Sequence, residues 1–347
     1  MKKLLFAVGV AVLFSGGVRA QDVHFTQYFT SPLTLNPALT GLVAEDLRFS
    51  GNYRTQWGTV SANPYVTGTL SFDIAALKGK LPEGDALGIG LLGLYDKSGS
   101  GGLTNTTVGL SLAYHKAFGR DRQQHISFGM QANLVQKNLN FARLTFEDMY
   151  NSGSGTLAYP TAESFPNADI TYPDFNGGIM YSGKVSDNIT TYLGYSYYHL
   201  TQPVETFLNN DNHQIHPRHT GYMGGSFDMN PNTVLYASAL YQSQASATEI
   251  LIGAAVGFIL NPGHDEEYQK NTIFYLGGWY RYGDAVAPYI GIEWSKMRLG
   301  FSYDVNISTF TPATHGVGAY EVSLIYFGRI NRSERSPQYN WSCPKLY

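Results

Sequence analysis

Residues 296–308 read KMRLGFSYDVNIS. In this stretch, apolar or aromatic side chains alternate with polar or small ones: Leu299, Phe301, Tyr303, Val305 and Ile307 against Arg298, Gly300, Ser302, Asp304, Asn306 and Ser308. A period of two places successive side chains on opposite faces of a β-strand. The stretch therefore predicts a strand that lies between an apolar and a polar environment.

The same alternation recurs along the whole chain, clearly at residues 47–57 and 107–115. Counting such stretches predicts about fourteen strands of roughly ten residues, the length that a tilted membrane-crossing strand needs. They lie near residues 47–57, 63–75, 86–97, 104–118, 124–139, 175–184, 188–199, 218–229, 232–243, 246–260, 271–282, 286–295, 296–308 and 316–330.

Alternation alone fits either a soluble β-sandwich or a membrane barrel, and the composition favours the barrel. Charged residues make up 14% of the chain, against about 25% in an ordinary soluble domain. Aromatic residues also make up 14%, and 26 of them are tyrosines. We therefore predict an all-β fold, a transmembrane antiparallel β-barrel of about fourteen strands over residues 47–330. An even strand number places both chain termini in the periplasm and the two longest connections, 140–174 and 200–217, outside the cell.

The first twenty residues predict export. Lys2 and Lys3 precede an apolar run of about eleven residues, which is too short to span a bilayer as a helix. Val18 and Ala20 then supply the small residues of a cleavage site before Gln21. We expect a signal peptide at residues 1–20 and a mature protein in the outer membrane.

The remaining motifs point away from catalysis and cofactors. Without residues 1–20 the chain carries 20 Lys and Arg against 26 Asp and Glu, so a basic nucleic-acid footprint is missing. Neither a Gly-x-Ser-x-Gly nor a His-Glu-x-x-His motif occurs. We expect no enzyme, no cofactor and no metal site.

Two weak motifs have simpler interpretations. His213, His216 and His219 have a spacing that could bind a metal, but a loop gives them no fixed geometry, so we interpret them as loop surface. The Gly-x-Gly-x-x-Gly at residues 88–93 lies in strand-like sequence with no helix after it. We interpret it as a row of small residues on the lumen face.

Charged and amide side chains inside predicted strands should face the lumen. An arginine facing lipid at the bilayer centre costs about 2–4 kcal/mol, so such groups should turn inward and pair. The predicted lumen set is Arg48, Arg54, Gln56, Glu293, Arg298, Asp304, Asn306 and Glu321. Their pairing could grip a plug or a partner segment, or only fill the barrel.

Aromatic residues near strand ends are expected to ring the two membrane interfaces, where amphipathic rings are favoured. The predicted outer ring is Trp57, Tyr65, Tyr197, Tyr198, Trp279, Tyr280 and Tyr289, and the predicted inner ring is Tyr114, Trp294, Tyr326 and Phe327.

Several short motifs carry a resemblance to a known family. They are QDVHFTQY at 21–28, LNPALTG at 35–41, YRTQW at 53–57, GFSYDVN at 300–306, GAYEVSL at 318–324 and the closing Cys-Pro at 343–344. Together they resemble the PorP/SprF outer-membrane proteins of the Bacteroidota type IX secretion and gliding system, over essentially the whole mature chain. Asn-Pro-Ala alone is also similar to the start of fatty-acid-transporter-like barrels.

The resemblance implies a barrel that is not an enzyme and that works with protein partners. The implied partner is a large secreted surface adhesin, or a periplasmic subunit linked to peptidoglycan, and the implied role is secretion or surface anchoring. The alternative is a fatty-acid-transporter-like channel for hydrophobic small molecules.

Two segments outside the strands are assigned roles. Residues 21–46 are rich in apolar side chains and are interpreted as a plug folded into the lumen, rather than a disordered leader. Its family-motif residues are Gln27, Tyr28, Asn36, Pro37, Ala38 and Gly41. The tail, residues 331–347, is expected in the periplasm, where Arg332, Arg335, Trp341 and Cys343 could dock on a partner or pack back on the barrel.

Overall fold

Fourteen antiparallel strands close into a barrel in the computed structural model. They are β1 (Leu47–Gln56), β2 (Tyr65–Ala76), β3 (Ala86–Ser98), β4 (Leu103–Phe118), β5 (Gln124–Asn138), β6 (Asp169–Ser186), β7 (Ile189–Tyr198), β8 (Arg218–Asn230), β9 (Thr233–Gln244), β10 (Ala247–Ile259), β11 (Ile273–Arg281), β12 (Ala285–Trp294), β13 (Met297–Asn306) and β14 (Val317–Gly328). Each strand pairs with its neighbours in sequence, and β1 pairs with β14 to complete the ring. The predicted fourteen-stranded barrel is confirmed; β6 begins six residues earlier than predicted.

The structure describes residues 22–43, 45–58, 60–77, 80–119, 122–151, 153–163, 167–207, 213–260, 272–309 and 311–330. The predicted signal peptide and the tail residues Arg332, Arg335, Trp341 and Cys343 lie outside the described residues. Among the described residues, none of the helices has the length and apolar character needed to span a bilayer.

The strands have one apolar and one polar face, as the alternation predicts. On β13, Leu299 and Phe301 are 40% and 41% exposed on the outside, whereas Ser302 and Asp304 are 0% and 2% exposed on the inside. The exposed apolar side chains form the surface that faces hydrocarbon. Because the ring of strands is closed, the barrel has no open sheet edge, and the backbone groups of each strand form hydrogen bonds with its two neighbours.

The two ends of the barrel differ in their connections. We call the end where β1 begins and β14 ends the terminal end, and the opposite end the loop end. The longest connections, 139–168 and 199–217, lie at the loop end; the first contains a small hairpin, Tyr150–Asn151 with Thr156–Leu157. Since outer-membrane barrels place their long loops outside the cell, we expect the loop end to face the exterior.

Residues 22–43, which we call the N-terminal segment, lie inside the barrel. The segment forms three short helical turns, Tyr28–Thr30, Pro32–Leu35 and Pro37–Leu39. From residue 25 to residue 43 every residue except Thr34 is buried. Its start contacts residues at the loop end and its last turns contact residues near the terminal end, so the segment runs through the lumen.

An apolar cluster joins the N-terminal segment to one side of the lumen wall. Phe29 lies 5.0 Å from the ring of Trp279 and 5.8 Å from the ring of Tyr289, centroid to centroid. Further wall residues of this cluster are Tyr192, Tyr222, Tyr236 and Tyr275. The core of this protein is therefore the contact between the segment and the inner wall.

This cluster corrects part of the predicted aromatic rings. Tyr198, Trp279 and Tyr289 were expected at the outer membrane interface, but all three are at most 5% exposed and face the lumen. They do so because the N-terminal segment gives them apolar partners inside the barrel. Tyr280, by contrast, is 41% exposed on the outer face.

Candidate functional site

A buried charge network holds the start of the N-terminal segment near the loop end. Arg54 of β1 pairs with Glu321 of β14 and lies 2.9 Å from Asp304 of β13. Arg281 of β11 is also 2.9 Å from Asp304. The Thr26 hydroxyl donates to Asp304 at 2.8 Å, so the segment is part of this network. Buried charges are tolerated when they are paired and hydrogen-bonded in this way.

Glu321 also binds the main chain of the segment. Its two carboxylate oxygens accept the backbone N–H groups of Thr26 and Gln27 at 2.6 and 2.9 Å. The Gln27 side-chain amide donates to the Ser302 hydroxyl at 3.0 Å and accepts from the Ser323 hydroxyl at 2.7 Å. Both hydrogen-bonding atoms of Gln27 are therefore satisfied by the wall, which fixes the register of the segment.

Asp22, the first residue of the N-terminal segment, is held at the loop end by three side chains. Its carboxylate lies 2.7 Å from Nε2 of His199 and 3.1 Å from Arg218, and its backbone N–H donates to Gln244 at 2.8 Å. Nδ1 of His199 lies 3.0 Å from Asp174. We call Asp22, His199 and Asp174 the outer latch.

Contacts in and beside the outer latch shift the pKa values of His199 and Asp22. Burial alone would lower the pKa of His199, but the charge of Asp22 and the hydrogen bond to Asp174 outweigh it and raise that pKa to about 9. Burial would raise the pKa of Asp22, but the cations His199 and Arg218 hold it well below its usual range. The latch is therefore charged on both sides near neutral pH.

Asn36 and Ala38 form the middle of the segment. The Asn36 side-chain amide donates to the backbone oxygens of Ile179 and Tyr195 and to the Tyr222 hydroxyl, at 3.1 to 3.2 Å. Its Oδ1 accepts the N–H of Ala38 at 2.8 Å, which caps the turn that begins with Pro37. Asn36 thus connects the turn of the segment to the wall.

Thr40 and Gly41 anchor the inner part of the segment. Asp73 accepts the N–H of Gly41 at 2.7 Å and holds the Arg48 guanidinium at 2.8 and 3.0 Å. Nε2 of His115 lies 2.7 Å from the Thr40 carbonyl oxygen. Gly41 has φ +69°, where a Cβ atom would meet Gly88 at 2.5 Å, so this position requires glycine.

Inward-facing glycines make room for the segment along the wall. A Cβ atom on Gly88, Gly129 or Gly178 would lie 1.8 to 2.2 Å from Thr40, Pro37–Ala38 or Asn36, respectively. Gly90 would meet Thr40 and Leu33 at 2.9 to 3.0 Å. The predicted row of small residues on the lumen face includes Gly88 and Gly90 but not Gly93, which lies on the outer face. Gly93 is three residues from Gly90, and an odd spacing places two residues on opposite faces of a strand.

The remaining predicted lumen residues have simpler surroundings. Glu293 pairs with Arg298 at 2.6 Å and accepts the Tyr275 hydroxyl at 3.1 Å, near the terminal end. Gln56 receives a long 3.5 Å hydrogen bond from Arg54, and Asn306 caps the turn after β13 through Ser308.

Tyr28, a family-motif residue of the N-terminal segment, packs edge-on against Phe29 in the apolar cluster.

His213, His216 and His219, the histidines with possible metal-binding spacing, do not converge. His213 and His216 line a cavity at the loop end, whereas His219 bonds to the Tyr195 hydroxyl at 2.7 Å and packs on Tyr197. Within the described ranges, no group of three or more His, Cys, Asp or Glu side chains is placed to hold a metal ion.

Several wall residues of this site were not predicted from the sequence: Asp73, His115, Asp174, His199, Arg218 and Arg281. A usable signal existed for most of them. Asp73 lies between Phe72 and Ile74, so the alternation that assigns those two outward assigns Asp73 inward.

Known structures with a similar fold are outer-membrane barrels. The toluene transporter TbuX of Ralstonia pickettii is 14% identical, with a TM-score of 0.48 over 86% of this chain and 94% of that one. A Pseudomonas aeruginosa FadL homologue is 12% identical, with a TM-score of 0.47 over 86% and 94%. The toluene transporter TodX of P. putida is 11% identical, with a TM-score of 0.46 over 91% and 97%.

The comparison of sequences gives a more specific result. No curated protein matches the chain. The family model described as type IX secretion system membrane protein PorP/SprF matches residues 18–326, which include the whole N-terminal segment and nearly all of the barrel. The resemblance carried by the short motifs is thus confirmed, and the chain belongs to the PorP/SprF family of type IX secretion system membrane proteins.

Proposed function

We propose that this chain, exported by its first twenty residues, is a non-enzymatic outer-membrane component of the type IX secretion system that binds a protein partner. The partner is a secreted surface adhesin or a periplasmic subunit linked to peptidoglycan, and binding serves secretion or surface anchoring. The family match over residues 18–326 carries this proposal.

We also propose that the N-terminal segment acts as a plug and closes the lumen. This proposal is supported by the burial of residues 25–43, Thr34 excepted, and by the close fit of the segment's turns against inward-facing glycines of the wall. A filled lumen favours a role in holding a partner over a role as a channel for hydrophobic solutes. Polar side chains bind much of this segment, including Arg48, Arg54 and Glu321.

Co-purification from the native membrane tests the proposal. An affinity tag is inserted at Ser154, in the exposed hairpin at the loop end, or between Asp187 and Asn188, in a turn at the terminal end. The mature amino terminus is avoided because Asp22 is held in the lumen. We expect a type IX system protein to be enriched from detergent extracts by mass spectrometry, compared with an equally tagged unrelated barrel of the same host.

The two tag positions also distinguish the proposed partners. A surface adhesin should be recovered less well with the Ser154 tag, and a periplasmic subunit less well with the tag at the 187–188 turn, where a tag obstructs docking. A purified barrel that carries bound hydrocarbon and no protein with either tag contradicts the proposal and supports the solute channel.

A further inference from the structure

A cavity of about 540 Å³ opens beside the N-terminal segment at the loop end. It lies between Asp22 and Thr34 of the segment and the inner faces of β3 to β6, and residues 199, 205 and 213–216 form another side. Its volume is in the range of ligand-binding pockets. Neither the sequence motifs nor the family membership assigns a role to this space.

The N-terminal segment stops covering the wall where the cavity begins. On β4 and β5 it contacts Ser111, at 2.6 Å from Thr40, and Gly129, beside Pro37 and Ala38. The next inward residues toward the loop end, Gln131 and Asn133, line the cavity instead. Gly109, opposite Asn133 in the strand pairing, leaves space for both amide side chains.

These two amides have unused hydrogen-bonding atoms. Gln131 is 2% exposed, and neither its Oε1 nor its Nε2 has a hydrogen-bond partner in the part of the chain that the structure describes. The Oδ1 atom of Asn133 is buried and unpartnered within the same ranges. Leaving such groups unpaired is unfavourable, so both side chains would gain hydrogen bonds by turning toward a bound group that supplies donors and acceptors.

The charges that line the cavity are already paired. Glu205 lies 2.6 Å from Lys137, Asp174 pairs with His199 in the outer latch, and Asp22 pairs with both His199 and Arg218. A charged ligand would therefore find no unpaired opposite charge on these groups. The unpartnered amides favour a neutral ligand that both donates and accepts hydrogen bonds.

The adjoining wall already binds polypeptide main chain. Ser196, Tyr198 and Arg218 donate to the carbonyl oxygens of Leu35, Leu33 and Thr34 at 2.7, 3.3 and 3.2 Å. An amide side chain such as Gln131 matches the N–H and C=O of a peptide unit. Apolar residues of the cavity could contact the side chains of a peptide; they are Leu92, Leu94, Val135 and Ile215.

We propose that this cavity binds a short, uncharged, extended polypeptide segment of the partner, with its main chain on Gln131 and Asn133. The segment enters from the loop end and lies beside the N-terminal segment. The inference rests on the proposed function, because it assumes a protein partner, and it adds the place and the chemistry of one contact.

Photo-crosslinking in the native host tests the position of the contact. The photoreactive residue p-benzoylphenylalanine replaces Asn105, which lines the cavity, or Thr106, the next residue on β4, which faces outward. We expect the Asn105 position to cross-link one short segment of a protein, located by mass spectrometry, and the Thr106 position to give no such product.

A synthetic peptide with the sequence of that segment then tests the chemistry. It is titrated against the purified full chain in detergent by fluorescence anisotropy. The double variant Gln131→Leu, Asn133→Leu should bind it at least about tenfold more weakly, because two hydrogen-bonding groups are lost. Ser182→Ala is the matched control: it removes another buried unpartnered polar group of the lumen that does not line the cavity, and binding should not change.

The outcomes separate this inference from the proposed function. If a partner co-purifies but Asn105 cross-links only lipid or glycan, or if the double variant binds the peptide as well as the wild type, the inference is wrong and the proposed function stands. If no partner co-purifies and no polypeptide is cross-linked, both are wrong. To show that the double variant still folds, its gel mobility is compared before and after heating; the heat-induced shift should equal that of the wild type.

Discussion

The carbonyl oxygen of Thr40 lies 1.8 Å from the position that a Cβ atom on Gly88 would occupy. The Gly88→Ala variant should therefore push the inner turn of the N-terminal segment away from the wall, with a loss of stability of about 1–3 kcal/mol, the usual cost of overpacking. Protease susceptibility of residues 22–43 in detergent measures the displacement, and chemical denaturation measures the stability.

Gly93 on the same strand provides the control. It faces outward, and the nearest atom to a Cβ there is the Leu70 carbonyl oxygen at 3.9 Å. Gly93→Ala should leave the segment as protected as in the wild type. Equal protection in both variants would mean that the segment does not sit against Gly88.

Arg54 is predicted to be the most sensitive charge in the lumen. Arg54→Met leaves Glu321 buried without its cation, while Asp304 keeps only Arg281; breaking a buried pair in this way costs about 3–5 kcal/mol. Urea unfolding in lipid vesicles measures this loss. Replacing both partners, Arg54→Met with Glu321→Leu, should recover part of it, since no lone charge then remains at that pair.

Arg122 gives a comparison for the same substitution. Its side chain is 44% exposed and lies 3.7 Å from Glu83, itself 65% exposed. Exposed pairs contribute about 0–1 kcal/mol, so Arg122→Met should change stability little. A similar loss in both variants would contradict the assignment of Arg54 to a buried network.

The outer latch should make the docking of the segment depend on pH. The pKa of His199 is raised from 6.5 to about 9, so its contribution is complete below pH 6.5, falls as pH rises and is lost above about pH 9. The pKa of Asp22 is lowered, so its contribution is present above its ordinary pKa of 3.8 and is lost as pH falls below that value. The segment should be held most firmly between about pH 4 and 6.5.

A nitroxide spin label at Val23 measures this dependence. It is attached through Val23→Cys in a Cys343→Ser background, and its mobility should rise as pH is raised from 6.5 to above 9. In His199→Gln the mobility should be high already at neutral pH and should change little over that range. A label with the same mobility at pH 6 and pH 10 in the otherwise unchanged chain would contradict the role of the latch.

Two tryptophans should report opposite faces of the wall. Trp279 is 1% exposed in the lumen, whereas Trp294 is 36% exposed on the outer face. In proteins that retain only one of them, with phenylalanine at the other three tryptophan positions, brominated acyl chains should quench Trp294 strongly and Trp279 weakly. Equal quenching would contradict the inward assignment of Trp279.

The strands could be predicted because the membrane imposes a simple rule on each of them. A side chain that faces hydrocarbon must be apolar, so period-two alternation locates all fourteen strands and turns Arg48, Arg54 and Asp304 inward. The first six residues of β6 were missed because Pro173 interrupts the pattern there.

The lumen was harder to predict because alternation states only which way a side chain points. Trp279 shares a face with Arg281, so the same rule that turns Arg281 inward also turns Trp279 inward. Its aromatic character suggested the membrane interface, but its position on the strand determines that it faces the lumen. The contacts of Asn36 and His199 depend on the path of the N-terminal segment, which no local pattern encodes.

Thr26 and Gln27 contact Glu321 on β14, and Thr26 also contacts Arg54 on β1, which lies directly opposite Glu321 in the pairing that closes the ring. The joint between the first and last strands is thus bridged by a third piece of the chain. During biogenesis we therefore expect the pairing of these two strands and the entry of the amino-terminal stretch to be coupled, because each completes the binding surface of the other.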